Sequence, residues 1–389
     1  MYATLRIGSY YIYFLIGILL TAVGPLIPSM REEFSLSHSQ VSQLFVFQGV
    51  GFALSVLLGG AAADRFDRRR LFVSGCVLLG TALALFALVS GWRAVVALFA
   101  LIGLGFGLSE TILNTVFIDL SHGEEGKGLN ILHTSAAFGG IAGSFFSGLL
   151  LPFGWRFPLT ALGVLLIAGA GWLGLAAYPR PRRDPERGWR AVRAVVMHPV
   201  ILLLALLLAA YVGIEAAITG WTVSYSIESL GGSALSGAFV TSGFWLGLMI
   251  GRLFCSRLAS PERHLRVLVW SSLGAGLSFL PIAVLPSMPV LGFSVFATGF
   301  CFGGLFPTAV AHAGALFPKR AGAATGFLFS ACTLGGATVP AAVGIIADNR
   351  GLQSGIASLM GGIVLLVAVG LAAVRAEVSF VRRNAGARS

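Results

Sequence analysis

An all-α membrane protein with twelve transmembrane helices, arranged as two pseudo-symmetric six-helix bundles, is the fold class this sequence predicts. Three observations predict it: a composition too apolar for a soluble domain, basic residues confined to alternate loops, and an internal repeat of glycines. Hydrophobic residues make up 57% of the 389-residue chain and charged residues only 11%, against roughly 25% charged in ordinary soluble domains. The mean hydropathy is +0.90.

The charges gather in short clusters, separated by apolar stretches long enough to cross a bilayer core of roughly 30 Å. These stretches lie near 6–29, 40–63, 71–90, 92–120, 127–152, 156–178, 199–227, 234–258, 265–286, 289–317, 321–347 and 351–374. The first is too long for a secretory signal, has no basic run before it, and carries Pro25 and Pro28 where a small-residue cleavage site would sit. It therefore reads as a spanning helix. Interior prolines such as Pro158, Pro281, Pro307 and Pro340 are compatible with membrane helices, because neighbouring helices satisfy the freed backbone groups. The short alternating strands of a transmembrane barrel are absent from the pattern.

Charge gives the orientation. Threading the twelve segments alternately puts 22 of the 26 Lys and Arg on one side, and only Arg31, Arg93, Arg156 and Arg350 on the other. By the positive-inside rule both termini are cytoplasmic, in a cell inner membrane. The net charge of +11 is then a matter of topology, which leaves a nucleic-acid partner nothing to explain; the bilayer is the expected large partner, with lipid headgroups as a secondary contact. Cys76, Cys255, Cys301 and Cys332 sit in or at the ends of apolar segments without ligand spacing, and read as packing residues. No zinc pattern, Gly-Lys-Ser phosphate loop or dinucleotide signature is present, so neither a metal nor a cofactor is expected, nor nucleotide-driven pumping.

The longest soluble interruption, Tyr178–His198, is rich in Arg and Pro and divides the segments six and six. The domains read as 1–178, a cytoplasmic linker 179–198, and 199–389 with a short cytoplasmic tail. Offsetting the halves by 192 residues sets Gly51, Gly59 and Arg65 against Gly243, Gly251 and Arg257. An offset of 196 sets Gly103, Gly107, Gly139 and Gly140 against Gly299, Gly303, Gly335 and Gly336. Small residues let membrane helices approach closely, so matched glycines predict matched crossings. Two parallel six-helix halves are a transporter plan, with the solute held between them near the bilayer midplane.

The loop after the second segment runs Gly60-Ala61-Ala62-Ala63-Asp64-Arg65-Phe66-Asp67-Arg68-Arg69-Arg70. It resembles the G-x3-D-R-x-G-R-R signature of the major facilitator superfamily and departs from it at Asp67, where the family usually has Gly. The resemblance implies that Asp64 and Arg65 form a cytoplasmic gate that opens and closes as the halves rock. A purely topogenic loop would account for the arginines but not for Asp64 and the glycine spacing. Gly107-Leu108-Ser109-Glu110-Thr111 with Asn114, Leu129-Asn130-Ile131-Leu132-His133, and Tyr211-Val212-Gly213-Ile214-Glu215 with Trp221 and Tyr225 are similar to the fucose–proton symporter branch. In that branch the glutamate matching Glu110 carries the proton, and an acidic residue stands just before an apolar-Leu-Ile-Pro stretch. Here Gly24 occupies that acidic position, ahead of Pro25-Leu26-Ile27-Pro28, which leaves the coupling chemistry open.

Few ionisable residues lie well inside a spanning segment: Glu110, Glu215, His133 and His312. Such groups cost about 2.5–3.5 kcal/mol at a helix centre, so function is their default reading. Glu110 falls near mid-depth with Asn114 one turn later on the same face, and a carboxyl there can exist with or without its proton. Its bland alternative is a permanent hydrogen bond between helices. Glu215 is either a second proton-coupling group, one turn from Tyr211, or a structural contact between the halves. Asn130 and His133 share a face of the fifth helix and, with Asn114, are candidate solute ligands; His133 also suits a cytoplasmic gate. His312 reads as a packing hydrogen bond. Trp221, Tyr225 and Trp245 are candidate cavity walls, since aromatic rings offer flat apolar area with a polar edge to a sugar; an interfacial anchor is the competing reading for Tyr225.

The expected function is a secondary active transporter, not an enzyme, that imports a small polar, sugar-like solute with protons and acts as a monomer. A drug or metabolite exporter of the same superfamily is the first alternative; the Gly139–Gly148 stretch lacks the glycine-proline motif of many exporters, which tilts towards import. A non-transporting membrane sensor is the second, and it would call for a sizeable soluble output domain. No nucleophile–base or metal pattern stands out.

Overall fold

The computed structural model describes residues 2–63, 66–120, 125–179, 195–258, 260–317 and 320–386. These are helical almost throughout, with no strand among the described residues. The first bundle comprises α1 (Ala3–Ala22), α2 (Ile27–Phe34), α3 (His38–Val41), α4 (Gln43–Ala63), α5 (Arg68–Ala84), α6 (Trp92–Leu120), α7 (Glu125–Leu150) and α8 (Arg156–Gly174). The second comprises α9 (Pro199–Leu230), α10 (Ala234–Leu258), α11 (His264–Val284), α12 (Met288–Phe302), α13 (Leu305–Leu316), α14 (Ala321–Arg350) and α15 (Leu352–Gly386).

Among the described residues, eleven helical stretches are long and apolar enough to cross a bilayer, and α4, with 21 residues of nearly unbroken apolar sequence, makes the twelfth. The first crossing counts α1 and α2 together, joined by one 3-10 turn at Gly24–Leu26 where Pro25 starts the turn. The tenth combines α12 and α13 across Gly303 and Gly304. An even number of crossings leaves both chain ends on one face, called here the terminal face; the opposite one is the far face. Large apolar side chains such as Trp270, Leu277, Phe293 and Val364 stand exposed on the outside. That is the surface of a protein solvated by lipid rather than water.

The repeated glycines work as the offset predicts. A Cβ on Gly103 of α6 would lie 2.0 Å from Gln48 O of α4, and one on Gly299 of α12 would lie 2.2 Å from Phe244 O of α10. Gly139 of α7 meets Phe14 O of α1 at 1.9 Å, while Gly335 of α14 meets Ala209 O of α9 at 1.8 Å. Each pair is the same crossing in one bundle and its copy. Three positions depart from the pattern: Gly243 has nothing near it, and Gly247, 2.2 Å from Phe296 O, takes the close approach instead, while Gly59 and Gly336 would meet only side chains, Leu108 at 3.3 Å and Val212 at 3.5 Å. Because the obstacles at the close crossings are backbone carbonyls, no rotamer change relieves a side chain placed there. Gly139→Leu should therefore force α1 and α7 apart and cost at least the 1–3 kcal/mol typical of overpacking. Its melting temperature in detergent should fall well below that of the unchanged protein, whereas Gly171→Leu, where nothing lies within 4 Å, should melt normally.

The departure at Asp67 has a local cause. Its carboxylate accepts the Arg70 N–H at 2.9 Å as the N-cap of α5, satisfying one of the orphan donors of the helix start. Asp64 and Arg65 lie outside the described residues, as do residues 180–194 of the linker 179–198.

Candidate functional site

The two bundles meet along two seams. In one, α7 packs on α10, with Gly140 against the Trp245 ring and Gly148 against Ala238. In the other, α3 and α4 pack on α14, with Gly49 against Ala337 and Gly344 against Ser42. All four pairs lie towards the far face. Below them, towards the terminal face, the bundles enclose a cavity of about 290 Å³, at the small end of the roughly 300–1,000 Å³ range of small-molecule sites.

Its wall is mostly aromatic and aliphatic, including Phe45, Phe52, Phe106, Phe306, Phe329 and Trp245. Into this lining project Gln48 from α4, Glu110 from α6, His133 from α7, Tyr211 and Glu215 from α9, Arg252 from α10 and Thr333 from α14. The Tyr211 hydroxyl donates to Glu215 Oε2 one turn away. Trp245 is steadied by its indole N–H, which donates to Thr219 Oγ1 at 3.3 Å. Glu110 makes no hydrogen bond to another described residue, so its carboxyl faces the cavity and not a fixed partner. The Arg252 charge reaches His133, Tyr211 and Glu215.

The cavity thus collects Glu110, Glu215, His133 and Trp245. Asn114 stands just outside the lining, where its Oδ1 accepts the Tyr13 hydroxyl at 2.9 Å, and the Tyr13 ring stands edge-on to His133 with centroids 5.3 Å apart. Asn114 is therefore one shell behind His133. Asn130 lies on α7, its side chain outside the described set. Trp221 and Tyr225 are elsewhere: both are fully buried further along α9, and Trp221 donates its N–H to Pro340 O at 3.0 Å. His312 faces the His264 ring at 5.8 Å and Glu377 at 3.5 Å, remote from the cavity.

Gly24 lines the cavity where the symporter branch has an acid. A Cβ there would lie 2.3 Å from Thr219 O, so the end of α1 touches α9 too closely for any side chain. Arg252 is the residue that the sequence concealed, because counting it among the basic loops hid its place inside α10.

Above the cavity the far face is locked by charge. Arg31 of α2 donates to Glu228 of α9, and His38 Nε2 lies 2.9 Å from the other oxygen of Glu228. Asp348 of α14 accepts the backbone N–H groups of His38 (2.8 Å) and Ser39 (2.9 Å) and lies 3.1 Å from His38 Nδ1. Beneath this network Trp221 packs against His38 and Phe45. These contacts join the first bundle to the second. Nearby, Glu33, Arg156 and Trp155 form a second network within the first bundle, in which Glu33 accepts from Arg156 Nη1 at 2.8 Å and from the Trp155 N–H at 2.7 Å.

Known proteins share this architecture. The glucose/mannose transporter GlcP of Bacillus subtilis (strain 168) is 23% identical over 391 residues, covering 95% of each chain. A putative glucose/galactose transporter of Helicobacter pylori (strain J99 / ATCC 700824) is 23% identical over 372 residues and 89% of each chain. Among solved structures, a bacterial homologue of the human lysosomal transporter Spinster, in an inward-facing and occupied conformation, superposes with a TM-score of 0.78 at 16% identity over 96% of each chain. The family model of the Major Facilitator Superfamily matches residues 10–263, more than half of the sequence. With its twelve helices in two bundles about a central cavity, the chain belongs to the major facilitator superfamily.

Proposed function

We propose that the protein is a secondary active transporter that imports a small, sugar-like polar solute together with protons, by rocking its two bundles about the central cavity. The observation that carries this reading is the cavity itself, which is lined by both bundles, walled with aromatic rings and supplied with a few convergent polar groups. The sugar transporters among its relatives support the same class.

In this reading the terminal face is cytoplasmic in the cell membrane, and the arrangement is inward-open, with Arg31, His38, Glu228 and Asp348 latching the outside. Trp245 and the phenylalanines pack the CH faces of the solute. His133 and Gln48 hydrogen-bond its hydroxyls, with Asn114 holding Tyr13 against His133. Glu110 and Glu215 supply titratable carboxyls on opposite bundles, so a proton taken up by either changes the charge that the closing bundles must bury. Asp64 and Arg65 gate the cytoplasmic side.

The test is uptake by the purified protein in proteoliposomes over a panel of labelled monosaccharides and their acid and amine derivatives, with and without an inward proton gradient. Saturable uptake of one class, driven above equilibrium by the gradient, is the expected result. Export of a cationic dye with no uptake of any panel member would instead establish the exporter.

A further inference from the structure

The cavity is more strongly charged than a neutral sugar requires. Arg252 lies about 9 Å inside the terminal end of α10, at 1.5 Å per residue, and its side chain lines the cavity. A guanidinium is always protonated and offers five donors in a planar fork. Among the described residues no carboxylate lies within ion-pair distance of it, and its Nε is enclosed without an acceptor. The neighbouring Glu215 has its Oε2 committed to the Tyr211 hydroxyl. The wall around the group is largely phenylalanine and aliphatic, and Glu215 answers the charge only across space, so among the described residues the guanidinium has no hydrogen-bonded counter-ion where one would be worth most.

Charge balance sharpens the point. With the His133 imidazole neutral, one guanidinium against Glu110 and Glu215 leaves a single negative charge when both carboxyls are ionised and a single positive charge when both carry protons; a charged His133 would add one more positive charge to either state. The proton-loaded cavity is then cationic and short of one anion. A carboxylate offers two oxygens that match the guanidinium fork.

We propose that Arg252 anchors an acidic group on the transported solute, so that the cavity takes small hydroxylated organic acids, of the sugar-acid type, in preference to neutral sugars. This rests on the reading of the cavity as the solute site. Protonation of the cavity carboxyls and entry of the anion then reinforce one another, because each lowers the charge the other leaves unbalanced. The aromatic wall holds the carbon chain while Arg252 fixes the acid end near the terminal face.

The experiment compares labelled D-glucuronate, D-gluconate and D-glucose in proteoliposomes of the full-length protein. Thermal stabilisation by the same three compounds gives a binding readout independent of transport. Saturable, gradient-driven uptake of an acid, with little inhibition by excess glucose, is expected. Arg252→Gln should raise KM for the acid by at least about tenfold, as loss of a charged hydrogen bond implies. Arg252→Lys, which keeps the charge but loses the fork, should recover part of that affinity. Glucose uptake that neither acid inhibits would overturn the inference and leave the transporter standing. An unchanged KM for the acid in folded Arg252→Gln would also overturn it, reducing Arg252 to a counter-ion of Glu215. Neither transport of, nor stabilisation by, any of the three compounds would remove both the inference and the reading of the cavity on which it rests.

Discussion

Replacing Glu110 with Gln should uncouple the transporter: proteoliposomes carrying Glu110→Gln should equilibrate solute but no longer accumulate it when an inward pH gradient is imposed. For each proton carried with the solute, a gradient of about one pH unit supports about tenfold accumulation. The unchanged protein should approach that ratio, and the variant should stop near equal concentrations inside and out. Gln keeps the shape and hydrogen-bonding capacity of the carboxyl but cannot exchange a proton. Since the Glu110 carboxyl binds no other described residue and faces the cavity, the substitution removes no structural contact, and melting should change little. Exchange of labelled for unlabelled solute should survive, because it needs the halves to rock but no net proton movement. Full gradient-driven accumulation in the variant would exclude Glu110 from coupling and leave Glu215, tied to Tyr211, as the remaining intramembrane carboxyl of the cavity.

Much of this architecture was legible because membrane helices are specified locally. Length and apolarity mark a crossing wherever it falls, and glycine spacing marks close contact because only glycine fits beneath a neighbouring carbonyl. Glu110, Glu215 and His133 were legible for a related reason, since an ionisable group inside an apolar run is conspicuous.

The far-face latch was invisible for the opposite reason. Arg31, His38, Glu228 and Asp348 each stand near a helix end, where a charge reads as ordinary surface, and the partners are 190 to 310 residues apart in the chain. Arg252 was lost in the same way, as one more basic residue near an end. Trp221 illustrates the converse error of type over position. It is an aromatic on the helix that carries Glu215, but it lies further along α9, where it fills the space beneath His38 and donates to Pro340.

That latch gives the second large effect. Asp348 answers two backbone N–H groups and one imidazole nitrogen of the opposite bundle, and Glu228 answers Arg31 and His38. Hydrogen bonds to charged groups contribute about 1.5–3 kcal/mol each, and a net loss of only 1.4 kcal/mol shifts a two-state equilibrium tenfold. Asp348→Ala should therefore favour the state open at the far face by at least about tenfold, and Asp348→Asn, which keeps one acceptor oxygen, by less. Spin labels on Phe153→Cys, in the turn just past the far end of α7, and on Leu235→Cys, at the far end of α10, in a background lacking the four native cysteines, would report the separation of the bundles there. The unchanged latch should give one short distance; Asp348→Ala should add a longer one, and the added Glu228→Gln should make it dominant. An unaltered distance distribution in the double variant would mean that the apolar seams of Gly140 on Trp245 and Gly49 on Ala337 hold the far face shut without the charges. The direction of the shift also bears on transport. In the proposed import cycle the far face must reopen after each release, so a weaker latch should speed the return of the empty carrier, and uptake should rise until opening at the terminal face itself becomes the scarcer state.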